Sequence, residues 1–166
     1  MVVVQIRPEY RIREMIELPD RLAGERGDSG EQRDAETVMI ELLSRRIGVA
    51  LKPQHIDLPE GGRLELDGFS REPLVVCEAW AHQGEAKAAQ KDKVAKDVLK
   101  LMFVSGILHA QPRSILLFSD EEAAKFLRGK SWRAQAMRSL EIEIHVVELP
   151  PDLRAKVVAA QRRQYR

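Results

Sequence analysis

The chain has 166 residues, 44% hydrophobic and 32% charged, with a formal net charge of +1. That length and balance fit one soluble globular domain, residues 1–166, able to bury a real core. They exclude a general polycation, so any nucleic-acid binding needs a local basic patch.

Val2 to Ile6 is short and β-branched and reads as a strand. Tyr10 to Leu18 carries Ile12, Met15, Ile16 and Leu18, a spacing that fits either a strand or a helical turn. Residues 23–32, AGERGDSGEQ, read as a loop. The apolar start is too short for a secretory signal, and no run approaches the roughly 18 residues of a membrane span.

Asp34 to Ile47 is a helix, with Ala35, Val38, Met39, Leu42, Leu43 and Ile47 on one face and Gly48 as its C-cap. Glu36 and Glu41 flank that face, and each reads first as a solvated glutamate. A short strand is expected around His55 to Leu58, then a turn at Pro59, Gly61 and Gly62.

Arg63 to Leu101 is the centre of the chain. Arg63 to Phe69 alternates, with Leu64 and Leu66 on one side and Glu65 and Asp67 on the other. Gly68 after Asp67 signals a bulge or strand end, and Asp67 reads equally as a turn residue. Arg71, Glu72 and Pro73 turn the chain into Leu74 to Ala81, a run apolar enough for a central strand. Glu78 inside that run needs a metal, a lysine or several hydrogen-bond donors, because burying a bare carboxylate is costly. Cys77, the single cysteine, reads as a buried inert thiol, consistent with a reducing cytosol.

Ala86 to Ile107 is a second helix, whose Lys91, Lys96 and Lys100 read as a solvated face. Arg113 to Phe118 is a buried strand. Ser119 is expected to cap a helix running to Leu127, with Glu122 completing a capping box. Ser131 to Leu140 is a short helix, Glu141 to Leu149 a strand with one wet face, and Pro150 onward a last helix. Trp80 and Trp132 read as core or rim packing and His82 as a surface histidine. The four histidines share no zinc spacing, and no phosphate-binding glycine loop is present. The element order predicts an α/β (α+β) fold, a mixed sheet with helices on both faces.

The order helix, three strands, helix, strand over about residues 34–118 resembles the PD-(D/E)xK nuclease-like superfamily. So do an acid in the first helix, Asp67 in one strand and Glu78 in the next. Residues 1–33 and 119–166 are then additions to that core. The resemblance implies an αβββαβ restriction-endonuclease-like core and Mg2+- or Mn2+-dependent phosphodiester cleavage of DNA or another nucleic acid. It implies Asp67 and Glu78 as catalytic residues and Glu36, Asp67 and Glu78 as the metal ligands, Glu36 being the first-helix acid with Glu41 as second choice. Trp80 stands where the pattern has its lysine. The string Lys87, Gln90, Lys93, Asp97, Lys100 resembles a helix of uncharacterised bacterial members. Lys87 or Lys93 is therefore the expected ammonium donor and Gln90 the residue orienting water or phosphate. The alternative is a catalytically inactive member, binding nucleic acid or a protein. A homodimer through an edge strand, Val2–Ile6 or Glu141–Leu149, is a further expectation, with a cytoplasmic location and no membrane partner.

Overall fold

The computed structural model describes residues 30–164, so the expected elements at 2–6 and 10–18 lie outside the described residues. The chain runs α1 (Gly30–Ile47), β1 (Lys52–Asp57), β2 (Arg63–Arg71), β3 (Leu74–Trp80), α2 (Ala88–Leu108) and β4 (Arg113–Phe118). It continues through α3 (Glu121–Ala124), a 3-10 turn (Lys125–Leu127), α4 (Trp132–Ser139), β5 (Ile142–Val146) and α5 (Pro151–Gln164). The five strands form one mixed sheet in the order β1-β2-β3-β4-β5. The first two pairings are antiparallel and the last two parallel. The expected α/β class, mixed sheet and αβββαβ order are all present.

β3 and β4 are central and buried on both sides, as their unbroken apolar runs require. Two separate cores result. On one face Val75, Cys77, Ile115 and Leu117 pack under α1 and α5 with Met39, Leu43 and Val157. On the other, Val76, Trp80, Leu116 and Phe118 pack under α2 and α4 with Val94, Leu101, Leu127 and Met137. The β3-α2-β4 and β4-α4-β5 crossovers advance in one direction along the sheet. A common hand therefore puts α2 and α4 on the same face.

Three local expectations change. α1 begins at Gly30, inside the expected loop. Asp120, not Ser119, caps α3, accepting the Glu122 amide at 3.3 Å. Ser119 is instead buried, and its hydroxyl donates to the His82 carbonyl at 3.0 Å. His82 is itself buried, stacked on Trp80 at 4.6 Å between centroids. Trp80 lies in the core, as read, but Trp132 is exposed. Among the described residues no helix is long and apolar enough to cross a membrane.

Candidate functional site

The site forms where β2 separates from β3. The β2–β3 ladder runs from Arg71 opposite Leu74 to Gly68 opposite Cys77. Against β1, Phe69 pairs with Lys52 but Leu66 with Gln54, so β2 spends three steps where β1 spends two. That is a β-bulge at Asp67 and Gly68. It breaks the alternation expected from the sequence. Leu66 and Phe69 both pack toward α2, and Asp67 turns to that side as well, where it is coupled to Glu78, Lys93 and Lys100. Gly68 faces α1, where a Cβ would come within 3.0 Å of Ile40 Cδ1 and 3.2 Å of Cys77 Cβ.

Past the last ladder pair, the Asp67 carboxylate takes over as acceptor: Ala79 N–H donates to Asp67 Oδ2 at 2.8 Å. Glu78, the neighbour of Ala79, is 3% exposed and points under α2 between Val76 and Trp80. Its Oε2 pairs with Lys100 Nζ, and Lys100 also donates to the Glu65 carbonyl at 2.9 Å. Its Oε1 is buried without a hydrogen-bond partner. Gln90, Lys93, Asp97 and Lys100 follow one another at three- and four-residue steps on α2, so they share a face.

Burial dominates the electrostatics. It pushes Glu78 up to about 9, helped by the Asp67 charge and opposed by Lys100. It pushes Asp97 up to about 6 against Lys93 and Lys100. It also raises Asp67 against the Ala79 hydrogen bond and the same two lysines. Burial works to lower Lys100, but Glu78, Asp67 and Asp97 outweigh it and hold the ammonium above its ordinary value. Three acids thus hold protons above their usual range, with burial the largest cause in each and the neighbouring lysines opposing it.

The other sequence candidates fall as follows. Glu36 Oε1 accepts the Ala81 amide at 3.3 Å, just past the end of β3, from the α1 face. Glu41 is exposed and pairs with Arg45. Gln90 Oε1 accepts the Lys87 amide at 2.6 Å, so it serves the N-terminus of α2. Lys87 is exposed there and Lys93 is exposed six residues on, beside Asp67 and Asp97. Lys100, read from sequence as a solvated lysine, is the one that meets Glu78. The signal available was its place three residues after Asp97 and seven after Lys93.

Among the described residues no group of three His, Cys, Asp or Glu side chains is placed to hold a metal ion. Asp67 and Glu78 nonetheless offer hard oxygen donors, one of them the unpartnered Glu78 Oε1. Two carboxylates suit a magnesium-type ion that keeps several waters. Cys77 is buried, its thiol raised well above the ordinary range by that burial, and takes no part. No protein-family model, curated protein or solved structure matches the chain.

Proposed function

We propose that the chain is a metal-dependent phosphodiesterase acting on nucleic acid, of PD-(D/E)xK type, with Asp67 and Glu78 as the metal-binding pair. The single observation behind this reading is the bulge that turns Asp67 to the side of Glu78, under a helix that brings Lys100 to the same carboxylate. A bound Mg2+ or Mn2+ would supply Lewis acidity toward a phosphate oxygen and an acidified water. The chain's own part is charge and position. Asp67 is fixed by the Ala79 amide. Lys100 holds an ammonium where Trp80 cannot, suited to charge developing on a phosphate. Lys93, exposed on the same helix face, extends that positive charge toward solvent. Glu36 accepts the Ala81 amide from the α1 face and does not join Asp67 and Glu78 in a three-carboxylate group among the described residues, so the reading rests on that pair alone, and Gln90 and Lys87 belong to the helix entrance.

The test is cleavage of single- and double-stranded DNA and RNA in Mg2+ and Mn2+, with Asp67→Asn and Glu78→Gln in parallel. Loss of cleavage in both variants supports the reading. Wild-type protein that neither cleaves nor gains thermal stability from either cation removes it. The second reading is an inactive member of the fold that binds without cutting. Its favouring observation is that Glu78 is 3% exposed and already occupied by the Lys100 contact.

A further inference from the structure

Five large apolar side chains stand exposed: Leu99 at 66%, Met102 at 44%, Phe103 at 49%, Trp132 at 68% and Leu140 at 38%. They are not scattered. Leu99, Met102, Trp132 and Leu140 line one groove of about 260 Å³ between α2 and α4. Phe103 lies one helical turn from Leu99. Large aromatic side chains carry roughly 150–250 Å² each, so the five together present on the order of 500 Å² of apolar surface. That is more than half of the roughly 800 Å² per partner of a standard interface.

The outer surface of α2 carries a second, independent pattern. Ala88, Asp92, Ala95, Leu99, Met102 and Gly106 are all exposed and follow one another at steps of four, three, four, three and four. This is the spacing of a helix-pairing seam, and Asp92 is its one charged position. The steps read the same in both directions. An antiparallel copy of α2 centred on Asp97 therefore places Ala95 against Leu99 of the second copy and Ala88 against Gly106. Asp92 then falls against Met102. Large meets small at the centre, and Gly106, with nothing within 4 Å of where its Cβ would stand, leaves room at the end. A two-fold interface needs a self-complementary patch of this kind.

We infer that the α2/α4 face is a homodimer surface, occupied by a second copy of this chain with the two α2 helices antiparallel. The inference is independent of the nuclease reading. At 100° per residue the seam lies roughly 140° around α2 from Lys93, Asp97 and Lys100, so the dimer leaves the candidate site open.

Sedimentation equilibrium on the full chain from about 1 to 100 µM, with Trp132 emission followed over the same range, tests it. The expected result is a dimer whose emission shifts to the blue as it forms. Leu99→Glu and Ala95→Arg, both at exposed positions, each weaken association at least about 100-fold, while the far-ultraviolet spectrum stays unchanged. A monomer with solvent-accessible Trp132 overturns the inference. A monomer with Trp132 shielded from quencher also overturns it, because another part of the same chain then covers the groove. A dimer insensitive to both substitutions overturns it in favour of a different surface.

Discussion

Ala79 donates its backbone N–H to the Asp67 carboxylate at 2.8 Å, at the point where the β2–β3 ladder ends. A side chain thus stands in for the missing strand acceptor, and it fixes an acid next to Glu78. The bulge, the carboxylate and the strand separation are one device. It turns an ordinary hairpin into a site with two acids on one face.

Asp67→Asn keeps an acceptor for Ala79 but removes the charge. On the nuclease reading, cleavage in Mg2+ should fall at least about 100-fold, with little change in thermal midpoint. Asp67→Ala should lose both, because the Ala79 amide is then left without its partner, a cost of about 1–3 kcal/mol. Equal activity in wild type and Asp67→Asn would count against a role for this carboxylate in catalysis.

Lys100 and Glu78 can be apportioned by a double-mutant cycle. Lys100→Met leaves a buried carboxylate without its ammonium and should cost about 2 kcal/mol, below the range for a fully buried pair because the lysine is partly exposed. Glu78→Gln in the Lys100→Met background should recover part of that loss. Urea melts of the four proteins measure the coupling. Additive losses would show that the two groups do not interact.

Gly68 is sized by α1. Its missing side chain lets Ile40 Cδ1 and Cys77 Cβ approach the bulge. Gly68→Val should destabilise by about 1–3 kcal/mol through overpacking, and Gly68→Ala by less, since Ile40 has some freedom to give. The same chemical melts check both. A neutral Gly68→Val would mean that α1 is not held tightly against β2.

A pH-dependent increment of stability is expected from Arg113 and Glu143, which join β4 to β5 through two hydrogen bonds at 2.7 and 2.8 Å. The Arg113 hydrogen bonds are the largest cause holding Glu143 down to about 2 from its ordinary 4.5, with His145 adding to them. A depressed carboxylate stabilises the fold above about 4.5 and loses that contribution as pH falls toward about 2. Both side chains are about 40% exposed, so screening limits the effect to about 0.5–1 kcal/mol. Thermal midpoints of wild type and Glu143→Gln should converge in acid and separate above pH 5. Parallel curves would show that the pair contributes nothing.

The sequence by itself determined the main elements of the described residues. The apolar spacing in α1 and α2, the unbroken runs of β3 and β4 and the turn at Arg71 to Pro73 are local signals, set by which neighbours share a face. They also determined that Glu78 must find a partner, because a carboxylate in an apolar strand cannot stand alone. Tertiary structure decided which partner. A helix has two flanks beside its apolar stripe, and periodicity does not say which borders the sheet; packing put Lys100 toward β3 and Leu99 toward solvent. Alternation likewise sends Asp67 away from Leu66. The bulge that reverses this depends on pairing with β1 and on the close approach of Ile40 to Gly68, contacts between residues far apart in the chain. Those long-range contacts, not the identity of the acids, bring Asp67 and Glu78 together.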